Sequence, residues 1–445
     1  MKGWLVGVLL LGLWDVAYAE KVPTPSVSPV QYEAKDVTKV ANANLAVMRD
    51  TIKSSRVEKS LFGSFFGGSV SALDADMLRD LDHYLIVYGE KPLSVEAIQL
   101  KAILHNRHDD NEALAMDYLY ILSAYAGSRY ERTSRKGLKD LLADPLKYDE
   151  GVITTQMSVD FSSMAEQSDR LFSMLSGISA IDNEKFNRVI VDACALFLTR
   201  YPDYDKADKV QNILAAHEGK DYDVAVYEYE KLITVYPGSS LQPDALFAIA
   251  DVQRTGLKSY EKAAQNYRKV IEQFPLQDIT KRAYINLALT ESVHLKDYQA
   301  ALTTLNTAVE KYADDAVTKE ALQMLGEIYS KKTKEYAKSV QSYRKLSDIF
   351  LGDDGIAALK KAESIATSSM HDYPLVIAID EQLIRDYPSH ELAPEALMNI
   401  AEIYEKKLKQ KMEAIKAYQR VIEQYPNSKQ AKKASSNIRK LEKDS

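Results

Sequence analysis

Cysteine is almost absent: among 445 residues the only thiol is Cys194. One cysteine cannot close an internal disulfide, so no covalent staple holds the fold in any compartment. It also stands about 175 residues too late to be a lipid-bearing cysteine at an export cleavage site. In VDACALFLTRYP it lies among apolar residues of an expected helix and reads as a buried, inert thiol. Glycine and proline are scarce too, 17 and 13, which favours long helices joined by few turns. Positive charge is not in excess, since the formal net charge is −7, and this removes any general reason to expect nucleic-acid binding.

Long hydrophobic runs are missing except at the start. Lys2 precedes the apolar run WLVGVLLLGLW (Trp4–Trp14), and Ala17-Tyr18-Ala19 has the small-x-small form that a signal peptidase accepts. Eleven residues make a helix of about 16 Å, short of a bilayer core of about 30 Å. The reading is an exported chain cleaved after Ala19, with an uncleaved anchor as the alternative.

Catalytic motifs are lacking. No phosphate loop occurs, because FGGS has no Lys-Ser/Thr ending; neither G-x-S-x-G nor H-E-x-x-H appears. HNRHDDNE (105–112) places His105 and His108 three apart, a spacing that suits zinc, but the run is polar and sits where an inter-helix turn belongs. A solvated turn is expected there. No convergent catalytic set, cofactor site or metal site is predicted, and no small-molecule substrate; an envelope hydrolase using paired carboxylates stays as a third reading.

What is present is repetition. RKVIEQFP (268–275) returns as QRVIEQYP (419–426). An aromatic or its equivalent falls at Tyr201, Tyr236, Phe274, Tyr312, Phe350, Tyr387 and Tyr425, at intervals of 35, 38, 38, 38, 37 and 38. Proline follows at 202, 237, 275, 388 and 426, where it stops a helix. A constant period of this length marks helical hairpins stacked into a solenoid. Inside the unit, Leu246, Ile249 and Ala250 precede Ala263, Tyr267 and Val270; Tyr284, Leu287 and Ala288 precede Ala301, Leu305 and Ala308. Leu397, Ile400, Ala401 and Tyr404 precede Ala414, Tyr418 and Val421. Small residues at 250, 288, 326 and 401 permit close helix approach, and large ones fill the hairpin.

These residues resemble the tetratricopeptide repeat. The large-x-x-Leu-Gly-x-x-Tyr helix of that family is matched by Leu322, Leu325, Gly326 and Tyr329, and its second helix by Ala414, Tyr418, Val421 and Pro426. The unit departs from the family in an extra residue in the inter-helix turn and a longer period. The resemblance implies an all-α, right-handed α-solenoid of helix-turn-helix repeats that binds proteins. YPSHELAPEALMNIAEIY (387–404) with EAIKAYQRVIEQYPNSKQA (413–431) is further similar to an envelope subgroup. That subgroup includes the periplasmic repeat protein of the Tol–Pal system and the lipoprotein of the outer-membrane assembly machine.

The chain is accordingly divided into a leader (1–19), a Pro-rich tether (20–32), and an amphipathic helix with a Gly/Phe segment (33–70). Diverged repeats (71–200) follow, interrupted by a loop insertion at 144–161, and then the regular array with a basic capping helix (201–445). Helical spacing puts one face of each first helix away from the hairpin core. It carries Asp244, Phe247, Asp251 and Arg254, then Arg282, Ile285 and Leu289, then Gln323 and Glu327, and finally Met398 and Glu402. Two readings stay open: a partner-binding groove, or packing between successive first helices. From Glu405 onward the chain carries a net +7, and Lys429, Lys432, Lys433, Arg439 and Lys440 crowd its last helix. They form either a solvated cap or an anionic docking site. The expectation is a periplasmic adaptor for a protein partner of the cell envelope, with peripheral outer-membrane association. The alternative is an accessory subunit of a secretion, pilus or polysaccharide-export machine.

Overall fold

The structure, a computed structural model, describes residues 34–62, 67–90, 93–144, 146, 150–181, 183–313 and 315–443. The expected leader and tether lie outside the described residues, as do 63–66 of the Gly/Phe segment. All regular structure among the described residues is helical. No helix among them is long and apolar enough to cross a membrane. The chain separates into two compact units, 1–104 and 105–445.

In the first unit, α1 (Ala34–Phe62) and α2 (Gly67–Tyr88) pack together, followed by α3 (Ser94–Arg107). Ala41, Leu45 and Ile52 of α1 are buried, as the three-and-four spacing requires, and Met77, Leu81, Tyr84 and Leu85 are buried on α2. Arg49 donates to Glu96 at 3.0 Å.

The second unit begins irregularly, with α4 (Asn111–Ala124), α5 (Glu131–Ala143), α6 (Glu150–Ser158), α7 (Gln167–Ile178) and α8 (Glu184–Arg200). The expected loop insertion at 144–161 is corrected here. Its middle forms α6, and Leu146, Ile153 and Phe161 are buried. Those three apolar side chains, spaced through a segment rich in turn formers, anchor it to the core. The run at 105–112 is not wholly solvated either. His105 Nδ1 lies 2.6 Å from Asp117 Oδ2 and both are largely buried, while Asp110 caps α4. Cys194 is fully buried, and burial pushes its thiol up to about 12.

Regular hairpins follow: α9 (Ala207–Ala216) with α10 (Tyr222–Val235), α11 (Gln242–Thr255) with α12 (Tyr260–Gln273), and α13 (Asp278–Leu289) with α14 (Tyr298–Lys311). Then come α15 (Ala316–Ile328) with α16 (Tyr336–Ile349), α17 (Asp353–Ile365) with α18 (Tyr373–Asp386), and α19 (Ala393–Lys406) with α20 (Lys411–Gln424). The helix α21 (Lys429–Lys443) closes the array. Neighbouring helices pack in sequence, so the molecule is an α-solenoid.

The period has a local cause at each joint. The aromatics Tyr236, Phe274, Tyr312, Tyr387 and Tyr425 are C-caps whose N–H groups bond the carbonyl four residues back. The inter-helix turns close on a left-handed residue: Lys258, Lys296, Lys334, His371 or Lys409. The next residue's N–H bonds the carbonyl six back, as in Ser259 to Gln253 (2.7 Å) and Glu335 to Tyr329 (2.8 Å). Three first helices reach this turn through a π-helical segment, at Thr290–His294, Tyr329–Thr333 and Ala366–Met370. The extra turn residue is absorbed in this way.

Candidate functional site

Four of the six regular hairpins, α11/α12, α13/α14, α15/α16 and α19/α20, are built on one pair of positions 17 residues apart. A small residue on the first helix faces a large one on the second: Ala250 and Tyr267, Ala288 and Leu305, Gly326 and Tyr343, Ala401 and Tyr418. All eight are buried. The reason for smallness is steric. A Cβ added to Gly326 would come within 2.5 Å of the Tyr343 ring.

The α17/α18 hairpin keeps the spacing and changes the residues. In α17 and α18 the corresponding residues are Glu363 and Asp380. Asp380 is only 1% exposed and makes no ion pair among the described residues. Asn399 Nδ2 donates to Asp380 Oδ2 at 2.7 Å and to Glu363 Oε1 at 3.3 Å, so both carboxyls share one amide. Lys360 donates to the other Glu363 oxygen at 2.5 Å. Burial, reinforced by the charge of Glu363, pushes Asp380 up to about 7; the Asn399 hydrogen bond opposes that shift.

Beside this cluster a recess of about 540 Å³ opens, lined by Glu363 and Asn399 but not by Asp380 itself. Its walls are Lys360 and Glu363 of α17, Leu383 of α18, Glu395, Met398, Asn399 and Glu402 of α19, and Lys429, Gln430 and Lys433 of α21. Glu402 accepts from Lys406 and Lys433, both at 2.7 Å. Burial works against its charge, but these two hydrogen bonds hold its carboxyl below the usual range. The recess thus combines an inner wall of carboxyl and amide groups with a rim of lysines.

The structure divides the expected groove. Met398 and Glu402 do meet Lys429 and Lys433 at one recess, which joins the two faces that spacing had suggested. Lys432, Arg439 and Lys440 do not line it. Phe247, Ile285 and Met398 are buried, at 5%, 8% and 4%, and Leu289 is half-buried. Of the two readings of this face, packing is the one that the burial of Phe247, Ile285 and Met398 fits. Phe247 meets the Tyr267 ring edge-on at 5.4 Å, and the Arg282 guanidinium lies 4.8 Å above it. Successive first helices meet along this stripe, which is why it is apolar. The polar members form a chain beside it. Asp251 accepts from Arg254 (2.7 Å) and from Tyr267 (3.0 Å), and Glu327 pairs with Lys331 (3.1 Å) and with Lys361 of the next unit (3.8 Å). Asp244 is exposed and Gln323 half-buried.

Glu363, Asp380, Asn399 and Lys360 were not among the expected site residues. Their signal lies in the 17-residue pairing, read through the one interval of 37 in place of 38. No group of three or more His, Cys, Asp or Glu side chains among the described residues is placed to hold a metal ion.

Two tetratricopeptide-repeat family models match the chain, one at residues 244–276 and 395–428, the other at 319–350. No curated protein matches the sequence. Among solved structures the chain is similar to PilF of Pseudomonas aeruginosa, at 17% identity and TM-score 0.33, covering 51% of this chain and 95% of that one. A tetratricopeptide repeat protein of Parabacteroides merdae gives 13%, TM-score 0.35, and coverages of 62% and 99%. Yeast Tom70 gives 12%, TM-score 0.27, and coverages of 92% and 96%. The matched segments are the α11/α12, α15/α16 and α19/α20 hairpins, so these three hairpins match the tetratricopeptide repeat.

Proposed function

We propose that this protein is an exported periplasmic scaffold that holds a protein segment of the cell envelope against its first-helix face, with no covalent step. The observation that carries the reading is the recess at α17, α19 and α21: a polar-lined opening walled by two first helices and the last helix, of a size to receive part of a protein segment. The Lys2 start, the Trp4–Trp14 run and Ala17-Tyr18-Ala19 support export. The likeness of 387–431 to envelope repeat proteins of the Tol–Pal and outer-membrane assembly systems supports a role in envelope assembly or maintenance, with peripheral outer-membrane association.

A photocrosslinking amino acid at Glu395, on the recess wall, tests the partner reading against the same probe at Leu276, which is 95% exposed and outside the recess. A discrete adduct from position 395 and none from 276 is expected in intact cells. Equal labelling, or none, removes the recess as the binding place. Mass spectrometry of the mature chain should find Glu20 first; an intact Met1 in a membrane fraction favours an anchor.

A further inference from the structure

We infer that the Glu363–Asp380–Asn399 cluster makes the α17/α18 hairpin a proton-controlled joint of the solenoid. The joint is closed while Asp380 carries a proton and loosened when Asp380 ionises.

Every neighbouring hairpin locks with a large apolar body against a small residue, a contact indifferent to pH. Here the lock is made of two carboxyls bridged by one amide. A protonated Asp380 accepts from Asn399 without adding a second charge to the cluster, which is a stable arrangement in a buried site. Ionised, the same pair places two like charges in a site largely removed from water, with a single amide between them.

The surrounding groups offer little relief. From α17 come Lys360, already engaged by Glu363, and Glu363 itself. On α18, Glu381 is held by Arg420 of α20 in a two-pronged pair at 2.6 and 3.0 Å. From α19 come Asn399, Glu395 and Glu402, the last held by Lys406 and Lys433. From α16, Arg344 donates to Gln382 and Asp348 accepts from it. Each nearby cation thus has another carboxylate or amide to serve, and the recess gives the loosened helices room to part.

The sign follows from linkage. Asp380 is shifted from 3.8 to about 7 in the closed joint. Between those values the closed joint binds more protons than the opened one, so its stability falls as pH rises and levels off above the upper value.

Hydrogen exchange of the full chain, read by mass spectrometry at pH 5.5 and 7.5 and corrected for intrinsic exchange rates, tests the joint. Protection of peptides within 353–406 should fall at least about tenfold across this range, while peptides within 244–276 should hold. Asp380→Asn, which is permanently neutral, should abolish the fall. Glu363→Gln removes the neighbouring charge, lowers the midpoint and should shrink the fall; it decides the question if Asp380→Asn does not fold. A flat wild-type profile, or a fall of equal size in the variants, overturns the proposal. No partner is needed, so the result is separate from the fate of the scaffold reading.

Discussion

Two adjacent hairpins share one backbone plan and differ in what locks them. In α15/α16 the Tyr343 ring lies on Gly326, and Ser339 donates to the Gly326 carbonyl at 2.6 Å. In α17/α18 the ring is replaced by Asp380 and the glycine by Glu363. The left-handed turn conformation and the π-helical segment are the same in both, while the N-caps differ: Asp315 against Gly352, and Glu335 against Asp372. The lesson is that the turns set the period and the 17-residue pair sets the lock. Once the ring is gone, the small residue opposite is no longer demanded, and a glutamate fits where a Cβ would otherwise collide.

The most disruptive way to break this contrast is to move the acid across it. Gly326→Glu would drive a side chain into the Tyr343 ring and leave a carboxylate in an apolar site. We expect a loss of about 3–5 kcal/mol, from overpacking and an unpaired buried charge together. It should be read as a fall in the thermal midpoint with early loss of the α15/α16 amides. An unchanged midpoint would show that the ring is free to move and that smallness at 326 is not required.

The next test uses another pair of equivalent positions. Phe247 in α11 corresponds to Lys360 in α17, so one stripe position is apolar in one hairpin and charged in the other. Phe247→Ala should cost about 3–4 kcal/mol, because the ring is buried against Tyr267. Lys360→Ala should cost far less in stability. Comparable small effects at both positions would return Phe247 to the role of an exposed anchor.

That position also shows what the sequence could and could not disclose. The aromatic period, the helix-stopping prolines and the small residues at 250, 288, 326 and 401 are local signals, repeated often enough to define the hairpins. The face beside the hairpin core is ambiguous, since helical spacing says where a residue points and not what stands there. Phe247, Ile285 and Met398 proved to be buried, and Phe247 lies between Tyr267 of its own hairpin and Arg282 of the next first helix. Asp380 was hidden for a different reason: its unit is one residue short, so a strict 38-residue frame misses the pairing with Glu363.

A third comparison sets one buried acid against another. Glu291 is 1% exposed and is matched by Arg268 at 2.6 Å and Thr304 at 2.8 Å, whereas Asp380 has only an amide. Removing the cation in Arg268→Ala should make α13/α14 resemble α17/α18. A loss of about 2–3 kcal/mol is expected, because Glu291 is left buried without its partner. It should also bring a new pH dependence in which the variant gains stability as pH falls. No new dependence would mean that Glu291 turns out to solvent in the variant.

The converse change repairs the lock. Asp380→Tyr combined with Glu363→Gly restores the pair found in α15/α16. We expect a gain of about 1–2 kcal/mol, from apolar burial and the removed acid pair. The same variant should lose the pH-dependent exchange of 353–406 and any adduct formed from Glu395. Lower stability would show that the α17/α18 helices are set too far apart for a ring to bridge.

The smallest effect lies at the feature the two hairpins share. Lys334 and His371 both hold positive φ, 61° and 52°, where an L side chain is disfavoured by about 1–2 kcal/mol. In α9/α10 the equivalent turn uses Gly219 at φ 63°. Lys334→Gly and His371→Gly should each relieve the strain, while the added freedom of glycine in the unfolded chain offsets part of the gain. A net stabilisation of under about 1 kcal/mol is expected, equal in the two hairpins and unaffected by pH between 5.5 and 7.5. Equality matters more than size, because it separates turn from lock. If the turns are the common frame and the locks the variable part, a turn mutation should not sense whether a ring or an acid lies behind it. A clear difference between the two variants would show that the turn at 371 is strained by the acid pair, and that the α17/α18 joint extends to the edge of the array.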